Sequence, residues 1–320
     1  MDLSVRMRSM LHLTLEQEYG RAQLWTGLEK NSGDPLRVAY VGDAKAYQMQ
    51  TPEYLQQKLF CPEGFSVEEV AQVAPRKERE VAESLAGQAD MVIVEGNDSL
   101  RWRPKTGEWR ASPTSIHMVL KLNRFQDWTE IEKAMQLQKR KIKTAHRNGL
   151  SLEVSKSDTD FDLFYNRMYV PMMQERHPGY GVIHTRDSAY GQFRNGLLML
   201  VRNENGEAIG GGLFNTTKRS AFLLHTGLLD GDTCWYEHGA SSALYYHSIQ
   251  WFYNNKFWLY NAGGCRAFAS DGLYEFKRRW GMQPTKDLWN PRRWLFWVPS
   301  GSSAAMQWLH SLEILSNGAA

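Results

Sequence analysis

The stretch Leu197–Leu228 constrains the fold most. LLMLVR is an apolar strand, Asn203-Glu204-Asn205-Gly206 a turn, and AIGGGLF the returning strand. Asn-Gly between two hydrophobic runs is a strong local hairpin signal, because Gly takes the positive φ that the turn needs. A second turn over Thr216–Ser220 and the run AFLLHTGL add a third antiparallel strand. Gly210, Gly211 and Gly212 inside a strand mark a bulge or the close approach of another backbone or a ligand.

The flanks complete an order. Leu150–Val154 reads as a strand and Asp160–Gln174 as a helix, with Phe161, Phe164, Tyr165, Met168 and Met172 on its apolar side and a bend at Pro171. Glu175–Gly181 is a loop. After the meander comes Tyr236-Glu237-His238-Gly239-Ala240-Ser241-Ser242, then a helix to Asn254 that buries Leu244, Tyr245, Ile249 and Phe252. A strand over Phe257–Asn261 runs into Gly263–Gly264, and the segment DGLYEFKRRWG closes the series as a helix. The order is strand, helix, three-strand meander, helix, strand, helix, an α/β arrangement.

Three features carry candidate chemistry. In DGLYEFKRRWG, Leu273, Phe276 and Trp280 form an apolar stripe, Asp271 stands at the N-cap and Gly281 beyond the C-terminus. Lys277, Arg278 and Arg279 crowd its last turns, either as dipole-matched surface charges or, for Lys277, as a cation aimed at a reacting group. The small residues at the helix start after His238 leave backbone N–H groups for a phosphate, or merely cap the helix. A helix starting at Thr129 and ending at Gly149 carries Lys133, Lys139, Arg140, Lys141, Lys143, His146 and Arg147. Those cations suit the helix C-terminus, or form a basic ridge for a nucleotide, a CoA tail or tRNA.

Length sets the domain expectation: 320 residues suggest roughly two domains. Residues 1–125 read as an N-terminal α/β domain, with buried strands Leu36–Gly42 and Ala89–Glu95 around helices from Thr51 and Pro75, a loop over Arg101–Ser112 and a further strand over Ile116–Leu122. Gly42-Asp43 lacks the rest of a dinucleotide fingerprint. Residues 126–299 form the second domain, and 300–320 an amphipathic tail with a helix over Met306–Leu315. The balance of 38 basic and 35 acidic residues is too even to argue for a nucleic-acid or membrane partner from bulk charge. Cys61, Cys234 and Cys265 give neither a disulfide framework nor a metal spacing, which suits a reducing cytoplasm and no metal. The N-terminus lacks an apolar signal core, and no run is apolar enough to span a membrane.

Four segments resemble the GNAT superfamily of N-acyltransferases, in its FemAB/FemX-like and BioF2-like branch: KRKIKTAHRNGLSLEV, NENGEAIGGGLF, HGASSALYYHSIQW and YNAGGCRAFASDGLYEFKRRWG. ADMVIVEGN and SPTSIHMVLKL carry a fainter likeness, which implies a degenerate GNAT-like domain in the first half. The resemblance implies a mixed twisted sheet flanked by helices, with a V-shaped cleft for an acyl donor. It implies acyl transfer from acyl-CoA to an amine of a sugar, peptide or small metabolite, or transfer from an aminoacyl-tRNA; a non-catalytic module on the same fold is the third possibility. Lys277 maps onto the lysine that steadies negative charge on the donor carbonyl. His225 and His238 are candidate bases, and Asp271 a candidate orienting group. His238, Gly239, Ala240, Ser241 and Ser242 are candidates for the donor, and Tyr236, Gly263, Gly264, Arg266 and Tyr274 for substrate. His247 is expected in the core or lining a groove. The usual GNAT phosphate-binding signature is missing, and only small residues stand in its place.

Overall fold

The computed structural model describes residues 19–48, 51–97, 102–176 and 183–315. The expectation for the extreme N-terminus, and part of that for the loop after Glu175, lie outside the described residues.

The first strands are β1 (Gly20–Leu28), β2 (Pro35–Gly42), β3 (Ser66–Val73), β4 (Met91–Asn97), β5 (Glu108–Pro113) and β6 (Ile116–Lys121). Among them lie α1 (Ala44–Gln48), α2 (Thr51–Leu59) and α3 (Glu78–Leu85). Next come α4 (Trp128–Ala134), α5 (Lys139–Arg147), β7 (Ser151–Ser155), α6 (Asp158–Phe164), α7 (Val170–Arg176) and α8 (Arg186–Asn195). The meander is β8 (Gly196–Arg202), β9 (Ala208–Thr216) and β10 (Ser220–Leu228). Then follow α9 (Cys234–His238), α10 (Ala240–Asn254), β11 (Leu259–Cys265), α11 (Gly272–Arg278), β12 (Gln283–Lys286), β13 (Arg292–Val298) and α12 (Ser303–Ser311).

The chain forms two compact units. One takes in residues up to Ser115, Ala267–Ala269 and from Leu288 onward; the other is Ile116–Arg266 with Ser270–Asp287. The first unit is a six-stranded sheet in the order β3-β1-β2-β4-β13-β5, with β2 and β4 parallel. Its central strands are mostly apolar because both faces are covered. Val38, Tyr40, Trp294 and Phe296 pack on one face, and Ala39, Val41, Leu295 and Trp297 on the other. This corrects two expectations. The segment 292–298, assigned by sequence to the second domain, is an interior strand of the first unit's sheet, paired on both sides. The C-terminal helix is no tail: Ala304, Ala305, Trp308 and Leu309 are buried in the same core as Trp294. The expected boundary near residue 125 falls at Ser115/Ile116, and the expected loop over 101–112 contains β5.

The second unit has the expected order around a seven-stranded sheet, β12-β6-β11-β10-β9-β8-β7. The turn from β8 to β9 spans three residues. Gly206 donates to the Asn203 carbonyl at φ +78°, and Asn203 pairs with Glu207, a type I turn closed by a glycine bulge. The expected basic helix is broken at Met135, which leaves helical geometry, into α4, a 3₁₀ turn and α5. Its cap is Asp127, which accepts the Glu130 N–H, and not Thr129. The bend expected at Pro171 is a π-helical turn over Tyr165–Tyr169, which ends with the Val170 N–H bonded to the Tyr165 carbonyl. The widened turn lies directly before a proline that can donate no N–H.

That π turn presses on β10. A Cβ on Gly227 would lie 2.5 Å from the Met168 carbonyl carbon and 2.6 Å from the Tyr169 nitrogen. Gly227→Ala is expected to cost about 1–3 kcal/mol. Gly191→Ala, in α8 with nothing near, is expected to gain up to about 1 kcal/mol. Urea unfolding of the two variants checks the contrast; equal effects would mean that β10 is not clamped there.

Candidate functional site

β10 and β11 run parallel but pair only from Ser220–Leu259 to Phe222–Asn261. Beyond that point each continues without the other, so the sheet splays. At the same place β11 bulges against β6: the register slips between Asn261 and Gly264. Gly263 takes φ +79°, and a Cβ there would sit 3.1 Å from the Leu223 carbonyl oxygen of β10. The positive φ favours glycine, and a Cβ would also crowd the Leu223 carbonyl.

Lys277 lies beside this bulge. The sequence expectation for α11 is reversed in part: Leu273 is exposed, and the cation faces inward, 3% exposed. Trp280, just past the helix, is fully buried and stacks on Tyr245 of α10, with Phe276 edge-on to the same ring. These rings anchor α11, and Lys277 Nζ donates to the Gly264 carbonyl at 2.7 Å. Burial lowers its ammonium to about 8, partly opposed by Cys265 and Asp271. Burial likewise pushes the Cys265 thiol up to about 12. Asp271 caps α11 by accepting the Tyr274 N–H at 2.9 Å, and its charge supports Lys277. Tyr274 is half-buried, and Arg266 is half-buried one residue past β11. Arg278 and Arg279 both bond Glu275 on the surface.

His225 belongs to a different cluster, on the sheet face covered by the π turn and α8. Its Nε2 is 2.8 Å from Gln192 Oε1, so the proton sits on Nε2 and Nδ1 keeps its lone pair. The His184 ring lies 4.8 Å away and that of Tyr169 4.5 Å. The Tyr169 hydroxyl accepts the His184 N–H, and Tyr165 donates to the His184 carbonyl. Burial, and then His184, lower the His225 imidazolium to about 4. The ring is therefore neutral at pH 7, a hydrogen-bond acceptor more than a strong base.

The start of α10 is tight. Gly239, at φ +97°, lies against the Ala145 backbone of α5, and Asn148 donates to the His238 carbonyl at 2.8 Å. Tyr236, Ala240 and Ser241 line a cavity of about 10 Å³ with Thr226, Gly227 and Leu244, the space of a single water. Ser242 is buried, and His238 is exposed with its ring against Trp235. His247 Nε2 approaches the Leu150 carbonyl at 3.2 Å, holding it in the helix interface. Alongside, Lys139, Arg140, Lys143 and Arg147 line an open groove of about 920 Å³ with the exposed Leu137. None of the cations from Lys133 to Arg147 makes an ion pair with a described carboxylate.

The structure thus brings Lys277, Asp271, Gly263, Gly264 and Tyr274 together, sets Tyr236, Ala240 and Ser241 around a second point, and holds His225 in a third. Sequence reasoning missed Gln192 and His184, which flank His225, and three residues at the bulge: Asn261, His117 and Asp287. Asn261 Oδ1 accepts the Gly263 N–H at 2.9 Å, and its Nδ2 is 3.1 Å from His117 Nδ1. His117 Nε2 is 3.3 Å from Asp287 Oδ1. An Asn two residues before a Gly was the only local signal; the other two come from different strands. Among the described residues no group of three His, Cys, Asp or Glu side chains could hold a metal, and no described helix is long and apolar enough to cross a membrane.

No protein-family model matches the chain, and no curated protein matches it in sequence. Among solved structures it is similar to L-PGS from Bacillus licheniformis at 10% identity, covering 89% of this chain and 87% of that one, TM-score 0.43. It is similar to FemX at 11% identity, covering 86% and 84%, TM-score 0.44. A GCN5-related N-acetyltransferase from Sphaerobacter thermophilus is 14% identical, covering 85% and 80%, TM-score 0.39.

Proposed function

We propose that the second unit is an N-acyltransferase whose donor carbonyl lies in the splay between β10 and β11, against Lys277. The observation that carries the proposal is the buried ammonium: a 3%-exposed lysine spends one N–H on Gly264. Its two other N–H groups have no acceptor among the described residues. A buried cation with spare donors is costly unless an anion forms beside it. An acyl-transfer intermediate supplies that anion. The amine nitrogen attacks the acyl carbonyl carbon, negative charge moves to the oxygen, and Lys277 donates to it. The oxygen's electron pair then returns, the bond to the donor's sulfur or oxygen breaks, the amine loses a proton and the leaving group gains one. His225, held in its own cluster by Gln192 and Tyr169, takes no part in this step. Asp271 holds α11 and so the lysine. These features favour an enzyme over a binding module.

Acyl-CoA is the preferred donor. Its phosphates would meet the start of α10 and the cations of α5, while Gly263, Gly264, Tyr236, Tyr274 and Arg266 contact the acyl group and the acceptor. The one-water cavity at Ala240–Ser241 requires α9 to shift for the phosphates to reach that helix start. The test is intact-mass screening of candidate amines with acyl-CoA. Equal product from the wild type and Lys277→Met would overturn the role of Lys277.

The unpaired cations of α5 favour a second reading, an aminoacyl-tRNA donor. It predicts tRNA binding that weakens by roughly tenfold or more between 50 and 200 mM salt and is lost in Lys139→Glu/Lys143→Glu. Absence of a tRNA shift at low salt would eliminate it.

A further inference from the structure

The bulge that gives Lys277 its carbonyl partner is held by a directed chain of side chains. Asn261 Oδ1 takes the Gly263 N–H, which fixes the amide orientation and leaves Nδ2 to donate to His117 Nδ1. His117 therefore carries its proton on Nε2, facing Asp287 Oδ1 at 3.3 Å. The two hydrogen bonds point the same way, Gly263 to Asn261 and Asn261 to His117, and the far side of the His117 ring stands in ion-pair range of Asp287. A carboxylate beside Nε2 favours the tautomer that leaves Nδ1 free to accept from Asn261. His117 and Asp287 are 7% and 8% exposed, so the chain runs through the interior.

His117 also grips the bulge from its far side. In the β6–β11 ladder it is the residue opposite Gly264, the one whose carbonyl binds Lys277. Its ring thus bonds the residue before the slip while its backbone faces the residue after it. We infer that Asp287, His117 and Asn261 form a positioning relay that sets the β11 bulge and thereby aims Lys277 into the splay. The inference rests on the proposed role of Lys277 for its catalytic meaning, but the geometry can be tested without turnover.

The measurement is the ¹H–¹⁵N NMR signal of the Lys277 ammonium, assigned by its loss in Lys277→Met and titrated with pH. In the wild type the buried, hydrogen-bonded ammonium is expected to exchange slowly and to titrate below the ordinary lysine value. His117→Ala and Asn261→Ser are expected to speed that exchange and move the midpoint towards the ordinary lysine value of about 10.4. Asn261→Ser is the milder change, because a serine hydroxyl can still accept the Gly263 N–H. His117→Asn, which offers an acceptor where Nδ1 stood, is expected to restore part of the wild-type behaviour. An unchanged signal and midpoint in folded His117→Ala and Asn261→Ser would overturn the relay, as would no difference between His117→Ala and His117→Asn. If no amine is acylated by the wild type, the catalytic proposal fails and the NMR result still decides the relay.

Discussion

Lys277→Met is expected to lower acyl transfer by roughly 10²-fold or more while leaving the folded protein as stable at neutral pH as the wild type, or more so. The two effects have one cause. In the folded chain the ammonium is lowered from 10.5 to about 8 by burial. Between those values the unfolded chain binds the proton and the folded chain does not, so stability rises with pH from about 8 to about 10.5. Below 8 the full cost of the buried charge, about 3 kcal/mol, is borne at every pH. Catalysis runs the other way. Donation to the oxyanion needs the ammonium, so the rate should fall as pH rises through about 8, after any rise from deprotonation of the acceptor amine. Methionine keeps the stem and removes the charge. It should abolish both the falling limb of the rate profile and the alkaline gain in stability. A rate profile and urea unfolding from pH 6 to 10 check both. A variant that keeps its falling limb, or that is strongly destabilised at pH 7, would show that Lys277 acts only as a structural tie to Gly264.

Much of the second unit was legible because its signals are local. Asn205-Gly206 and the flanking runs give the hairpin, and the small residues after His238 give the helix start. The inward turn of Lys277 was not legible. Helical spacing puts Leu273, Phe276, Lys277 and Trp280 on adjoining faces, and which face is buried depends on where Tyr245 stands, a residue 32 positions from Lys277 by the numbering. The apolar choice, Leu273, is the natural one and is wrong because α11 is short and pinned by rings at its other end. His117 and Asp287 are 170 positions apart and meet only because β6 and β12 pair, so no spacing rule could join them. The placement of β13 failed for the same reason. Its partners β4 and β5 precede it by nearly two hundred residues, and an apolar run says that a strand is buried without saying in which sheet.

That late strand brings a buried charge cluster into the first unit's sheet. Arg292, 4% exposed, bonds Asp43 at 2.8 and 2.6 Å and Glu95 at 3.1 Å. Glu95 is fully buried and also accepts from the Tyr40 hydroxyl at 2.8 Å and Trp294 Nε1 at 2.7 Å. Burial raises the Glu95 carboxyl above its ordinary value, and the charge of Arg292 is the largest opposing influence. Arg292→Met keeps the bulk and removes that influence, leaving a buried carboxyl to be neutralised by a proton. The expected loss is about 3–5 kcal/mol at neutral pH. A folded carboxyl raised above its unfolded value makes stability fall as pH rises through the interval between them, so the loss should shrink towards pH 5. Removing the second charge in Glu95→Gln/Arg292→Met should recover part of the loss and flatten its pH dependence. Hydrogen exchange of peptides from β4 and β13 reads the effect locally, without requiring the two units to unfold together. A loss below about 1 kcal/mol with no pH dependence would mean that Tyr40 and Trp294 satisfy Glu95 on their own, and that β13 is held by its apolar neighbours alone.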